Sequence, residues 1–576
     1  MPCRPVRMQT VSARFMFFSV YRCKQDAVSG AMTRHRAARY SVLKVCVNVL
    51  TTGKEEAAIM ARYYIGYDNG TMGTKVAIYS DDSTLVADAY RPHEIQYPQP
   101  GWAQMEPDQF YRVVCEGILE CVKKSRIDPK EVRGISCSGI ICGFLPIDDE
   151  WNPVGPYVPF LDGRAKQEAI ATARMEDAPW IEESGNADIG AYMPPMIVKW
   201  FINNEADFLK RTKKVVSAAH YVMGRLGGMR AADAFIDYAH MSGWVIGFDA
   251  HKRDWSQRQM ELLGIPYELL PAAKKPWDVV GTLTREQAEK VGLCEGIPLV
   301  AGAGDIMQSN LGSGVLETGM CSDVAGTASI FTFAVPDFKR EVTEKKVIIN
   351  AMATLDDHYM YWSFIPAGGL SLRWFRDEVM GEKGDEKFYE RMNRLAAATP
   401  LGAEFSLFFP FLQGRSSPAW PNASASWLGL YGSNNAGTLW RSILESIAFE
   451  YLGYVNILRS VGIDLKKIIG TGGGSKGAFW NQIKADVLNA PYVTLQRTEG
   501  AVLGNAILAA YGVGDIGDIR KTIGEWIRTK DRFEPIRRHN EVYSKIFEVR
   551  EQILNGPLYQ IFDMMNELHG IGLPGK

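Results

Sequence analysis

Asp68, Gly70, Thr71, Gly73, Thr74 and Lys75 lie close together in the stretch YYIGYDNGTMGTKVAIYS, Tyr63 to Ser80. Apolar residues on both sides of this cluster predict two short strands joined by a glycine-rich turn. Glycines let the main chain approach an anion, the threonines add hydroxyl donors and Lys75 adds positive charge, a set suited to a triphosphate. Asp68, ending the first strand, is placed to hold Mg²⁺ directly or through water. An ordinary tight hairpin is the competing reading of the same residues. The stretch MCSDVAGTASIFTFAV, Met320 to Val335, repeats the pattern around Gly326-Thr327-Ala328-Ser329. Two such hairpins imply two like halves with a nucleotide between them.

A third glycine cluster, Gly472-Gly473-Gly474 in KIIGTGGGSKG, follows a predicted strand and precedes a helix expected to begin near Lys476. Backbone there can lie flat against adenine and ribose, while the helix N-terminus favours phosphate; a purely structural turn is the alternative. Asn481 lies one turn into that helix, where it either reaches the nucleotide or is a solvated surface residue.

The elements that must position these groups alternate between strands and helices. Thr84 to Tyr90 reads as a third strand, and Pro107 opens a helix whose Phe110, Val114, Ile118 and Cys121 share one face. VRGISCSG, Val132 to Gly139, reads as a buried strand. Asp162 in LDGRAKQE is either a helix cap or a ligand. Thr438 to Gly462 reads as a core helix with Leu439, Ile443, Leu444 and Ile447 on one side and Glu445 beside them. Glu499 to Gly512 carries small residues at helical spacing, which permit close packing against a cleft wall. The fold class expected is α/β with two related domains.

Composition bounds the partners. The chain has 576 residues, too many for one core, with 46% hydrophobic and 23% charged residues and a net charge of −2. That charge gives no support for a nucleic-acid partner, and no apolar run is long enough for a spanning helix. Nine cysteines, none at paired metal-ligand spacing, read as reduced thiols, so a cytoplasmic protein is expected. Residues 1–59 are Arg-rich and acid-poor, with a net charge of +7. They are expected to form a poorly packed extension, favoured as non-functional over a transit peptide.

Five segments taken in order, PGWAQMEPDQFY, FLDGRAKQE, HKRDWS, AGAGDIMQSNLGSGV and TGGGSKGAFWNQIKADVLNAP, together with the two hairpins, resemble the FGGY carbohydrate kinases, most closely the xylulokinase-like members. The resemblance spans roughly residues 61–514. It implies an actin-like ATPase fold, with two ribonuclease-H-like domains around a catalytic cleft. The sugar is then held mainly by residues 60–304 and ATP by residues 305–518, and residues 519–576 form C-terminal helices packing back on the body. The resemblance makes Asp305 the base that takes the proton of the attacking hydroxyl, against a simple capping role. It also places Asp305, Ile141, Cys142, Phe160 and Asp162 at the sugar, Phe160 standing where relatives usually carry Trp, with core packing as its alternative.

The chain departs from the family in several places. Ile197 occupies a usual Lys position, Thr438 a usual amide, acid or His position, and Gly414-Arg415-Ser416 the usual Gly-Glu-Arg turn. SGIICGF, Ser138 to Phe144, replaces a Met-His-Gly loop. These changes leave the sugar open between a ketopentose and the substrates of ribulose, autoinducer-2, polyol and gluconate kinases. An actin- or chaperone-like ATPase with no sugar substrate is the rival from another class. ATP and Mg²⁺ are the expected cofactors and a small sugar or polyol the expected partner, with a homodimer left open.

Overall fold

In a computed structural model, which describes residues 61–571 apart from 386 and 498, the first elements are β1 (Tyr63–Asn69) and β2 (Gly73–Ser80). The expected extension over residues 1–59 lies outside the described residues. β1 and β2 pair antiparallel with Asp68 opposite Lys75 and Asn69 opposite Thr74. β3 (Leu85–Pro92) continues the meander, while β4 (Val132–Gly139) joins β1 in parallel. β5 (Val279–Thr282) and β6 (Pro298–Gly304) complete a six-stranded sheet of order β5-β6-β4-β1-β2-β3.

Alternation along β1 sends Ile65 and Tyr67 to one face and Tyr64 to the other, so both faces need a cover. Helix α1 (Pro107–Ser125) covers the first with Phe110, Val114, Ile118 and Cys121, and Gly117 lets it approach Val76 closely. Each such side chain contributes about 1.5–3 kcal/mol on burial. Helix α2 (Asp305–Ser313) leaves directly from the end of β6.

A second sheet repeats the plan. β7 (Met320–Ala325), β8 (Ser329–Val335), β9 (Ile349–Met352), β10 (Tyr359–Ile365), β11 (Lys467–Thr471), β12 (Tyr492–Leu495) and β13 (Thr529–Phe533) lie in the order β9-β10-β8-β7-β11-β12-β13. In both sheets an antiparallel three-strand meander, written third-second-first, is extended from its first strand by two parallel strands: β3-β2-β1-β4-β6 and β10-β8-β7-β11-β12. Helix α3 (Ala436–Arg459) packs on the second sheet, Tyr451 stacking on Phe331 at 4.4 Å. Helix α4 (Ala478–Leu488) lies beside it, its Trp480 Nε1 donating to Leu444 O at 3.0 Å.

Helix α5 (Gly500–Gly512) returns to cover the open face of the first sheet, with Val502, Ala506 and Ala509 in one core with Tyr64, Tyr79 and Val300. A β-carbon on Gly66 would lie 2.6 Å from Val502 O, and one on Gly312 would lie 1.9 Å from Gly500 O. Glycine at these two places is what allows β1, α2 and α5 to meet backbone to backbone.

The C-terminal region differs from the all-helical expectation. β13 is an edge strand of sequence TKDRF, and its charged, exposed side chains hide the strand pattern while blunting the edge. Helix α6 (Arg537–Ile553) is then tied to α3, where Tyr543 Oη donates to Glu445 at 2.7 Å and Arg550 pairs with Glu450.

Candidate active site

β4 lies between β1 and β6, and Ser138 on β4 is in register with Asp68 on one side and Ala303 on the other. The parallel strands therefore deliver Asp68 and, one residue past Gly304, Asp305 to the same carboxyl-terminal edge, where open α/β sheets form ligand crevices. Asp305 is the first residue of α2, and its Oδ1 accepts the Ile306 N–H at 2.8 Å. Burial first, and the charge of Asp68 second, raise the Asp305 carboxyl to about 7. Burial also raises Asp68, opposed by the hydrogen bond from Ser138 and by the charge of Lys75. Two neighbouring carboxylates that resist ionising together fit a divalent cation.

Gly70 N–H donates to Gly73 O at 3.1 Å and closes the first turn, with Thr71 half-buried and Met72 exposed at the tip. Lys75 lies 3.4 Å from Glu499 at the start of α5. In the second hairpin Gly326 N–H donates to Ala328 O at 3.1 Å. The start of the helix Gly368–Trp374 docks there, Gly369 N–H on Gly326 O at 3.0 Å and Leu370 N–H on Thr327 O at 2.9 Å. A β-carbon on Gly472 would stand 3.0 Å from Ala325 O, and one on Gly474 2.6 Å from Ala325 Cβ. The structure thus gathers Gly326, Thr327, Gly472, Gly473 and Gly474 in one place and adds Gly368-Gly369. The sequence signal for that pair was two glycines in Pro366-Ala367-Gly368-Gly369, just past an aromatic strand.

Asn481 is buried, which excludes the surface alternative; its Nδ2 donates to Ser475 O at 2.7 Å and so braces the glycine loop. Its neighbour in the expected start of α4 also moves: residues Gly473–Lys476 form a 3₁₀ turn and the α-helix begins at Ala478.

Around Asp305, its charge adds to burial in raising the thiol of Cys142 and the phenol of Tyr157. Tyr192 in turn feels Cys142 and the half-buried Asp188. Tyr157 Oη is buried and has no hydrogen-bond partner among the described residues. Tyr157, Asp188 and Tyr192 escaped sequence reasoning because they fall in loops and short elements between the motifs. Ile141 is buried against Gly304 and Gly243. Phe160 is 41% exposed, so it is not a core residue.

Asp162 corrects both expectations placed on it. Its carboxylate is fully buried and accepts the Ala103 N–H at 2.7 Å and three N–H bonds from Arg164 at 2.8–3.0 Å. The following helix, Lys166–Ala173, has no side-chain cap. With its oxygens so occupied, Asp162 holds Arg164 over Trp102, 4.1 Å from the ring centre, rather than a ligand.

Among the described residues no helix is long and apolar enough to cross a membrane. The N-terminal-domain profile of the FGGY family of carbohydrate kinases matches residues 63–312, and the C-terminal-domain profile matches residues 322–513. Xylulose kinase of Bacillus subtilis (strain 168) is 24% identical over 493 residues, covering 85% of this chain and 96% of its own. The structure of gluconate kinase from Lactobacillus acidophilus superposes with a TM-score of 0.80 at 22% identity, over 88% of this chain and 100% of that one. That of xylulose kinase from Rhodospirillum rubrum gives 0.79 at 25% identity, over 87% and 100%.

Proposed function

Because the chain belongs to the FGGY family of carbohydrate kinases, we propose that Asp305 is the base with which it moves the γ-phosphoryl group of ATP to a hydroxyl of a ketopentose or related polyol. The family has the actin-like, two-domain fold, which the duplicated sheets express here. The observation that carries the reading is Asp305 at the start of α2, beside Asp68, with its carboxyl raised to about 7. A base tuned near neutrality combines basic strength toward a hydroxyl proton with a substantial ionised fraction at neutral pH.

In the proposed reaction the Asp305 carboxylate accepts the proton of the sugar hydroxyl. The freed oxygen bonds to the γ-phosphorus as the bond to the bridging oxygen breaks, and ADP leaves. The Gly70-Thr71 turn on one side and the Gly326-Thr327 turn with the Gly472–Gly474 loop on the other hold the phosphates in line. Asp68 would hold Mg²⁺, which when bound spreads the charge of the transferring group. Residues 60–304 form the sugar side and 305–518 the nucleotide side, with α5 packed on the sheet of the first.

A neutral substrate suits the sugar side. Asp68, Asp305 and Asp188 are acidic, and the buried guanidinium of Arg164 is consumed by Asp162. The orphaned Tyr157 hydroxyl suits a substrate hydroxyl. This favours a xylulokinase-like reaction over phosphorylation of an aldonate. Substrate-dependent ADP release over a panel of pentuloses, polyols and aldonates tests it. Turnover of a ketopentose is the expected outcome, and exclusive turnover of gluconate overturns it.

A further inference from the structure

His93 directly follows β3 and touches the first hairpin at three points. Its backbone N–H donates to Met72 O at 3.0 Å. Its ring nitrogens lie 3.0 Å from Gly70 O (Nδ1) and 2.9 Å from Thr74 Oγ1 (Nε2). The ring is buried and meets Phe110 edge to face at 4.6 Å. Thr74 Oγ1 also lies 2.6 Å from the side-chain amide of the buried Asn69, whose other amide position has no partner.

One proton arrangement satisfies the ring, the hydroxyl and the Gly70 carbonyl together. A carbonyl only accepts, so His93 Nδ1 carries the hydrogen toward Gly70 O. Neutral imidazole then has a lone pair on Nε2, which must receive the Thr74 hydroxyl proton. Thr74 Oγ1 is left as an acceptor, and the Asn69 amide, turned so that its NH₂ faces Thr74, donates to it. The turned amide pairs the NH₂ group and leaves the Asn69 Oδ1 as the position without a partner. Burial holds the His93 ring down to about 4, which keeps it neutral through the working range.

The chain Asn69–Thr74–His93–Gly70 thus ties the two ends of the turn through a side chain lying beyond β3. The N–H groups of Thr71 and Met72 have no acceptor among the described residues. They stand at the turn whose carbonyls, Gly70 O and Met72 O, are both held by His93.

We propose that His93 is a positioning residue for phosphoryl transfer: holding the Gly70 carbonyl fixes the peptide plane that carries the Thr71 N–H, and holding the Met72 carbonyl as well clamps the intervening Thr71–Met72 peptide from both sides, so that the amides of Thr71 and Met72 face a phosphate of the bound nucleotide. The inference rests on the reading above that this hairpin holds phosphate.

Steady-state kinetics on the full chain test it with four variants. His93→Phe keeps the ring packed on Phe110 and deletes both ring hydrogen bonds. Thr74→Val breaks the same chain from its other end. Each is expected to raise the KM for ATP about tenfold, the size of one lost hydrogen bond, with the sugar KM unchanged. His93→Asn, which keeps an N–H near the Nδ1 position, is expected to recover part of the loss. Thr71→Val removes a ligand-side hydroxyl and reports on the hairpin itself. If Thr71→Val raises the ATP KM and His93→Phe does not, the inference falls while the phosphate reading stands. If both leave it unchanged, the phosphate reading falls and the inference with it. A lowered melting temperature with both KM values unchanged makes His93 a structural clamp only and overturns the proposal.

Discussion

Ser138 Oγ donates to Asp68 Oδ1 at 2.8 Å while accepting from Asn505 Nδ2 at 2.9 Å, so a helix 367 residues further along the chain orients a carboxylate of the first strand. Asn505 also donates to Tyr67 O at 2.8 Å. The relay makes α5 part of the site although it touches no reacting atom.

Asn505→Leu should therefore reduce turnover about 10- to 100-fold through a shifted Asp68, the scale of an ångström of misplacement. Ser138→Ala, which leaves the Asn505–Tyr67 bond in place, should cost less. Comparison of kcat for the two variants, with melting curves to confirm folding, checks the order.

Asp305→Asn keeps the shape and removes the base. A loss of about 10²- to 10⁴-fold in kcat is expected. Because the native site resists ionising Asp305 beside Asp68, the neutral amide should also raise the melting temperature by about one or two degrees above neutral pH. Calorimetry and single-turnover assays on one preparation test both signs.

The pH dependence follows from the direction of the shift. Asp305 acts as a base only when ionised, and its carboxyl is raised from the ordinary 3.8 to about 7. Hence kcat/KM should fall as pH drops through about 7 rather than through the usual carboxylate range. The stability contribution of this group is full below about 4 and is lost as pH rises through about 7. A stability gain of Asp305→Asn that grows over that window, followed by denaturant titration, is the expected outcome.

Asp68→Asn should respond to Mg²⁺. If Asp68 places the ion, the variant needs more Mg²⁺ for half-maximal rate, and extra Mg²⁺ restores part of its turnover. Titration of Mg²⁺ at fixed ATP reads this directly, and Asp305→Asn should show no such recovery.

In the second sheet, Asp323 takes hydroxyl bonds from Tyr451 at 2.7 Å and Tyr492 at 2.8 Å and pairs with the fully buried Lys484. Asp323→Ala strands that ammonium ion and should cost about 3–5 kcal/mol of stability. Urea denaturation checks it, and activity at low temperature should survive wherever the chain remains folded.

Period and punctuation along the sequence determined the two glycine hairpins, the buried strand ending at Gly139 and the face of α1, because each depends on neighbours a few residues away. They also marked Asp68, since a carboxylate at a strand end is a local pattern, whereas Asp305 was marked through the family resemblance. Only the tertiary structure decided the rest. Arg164 claimed Asp162 through a loop closed on Ala103, and the turn that follows the glycine loop placed Asn481 inside. The charged strand β13 formed because an open edge at β12 was there to pair with it. His93 and Asn505 gained their roles from elements brought against the β1–β2 hairpin from outside it, β3 beside β2 and α5 on β1, contacts to which local periodicity is blind. Such contacts follow from closing both faces of the first sheet, and that closure was settled by where α5 could find glycines small enough to pack.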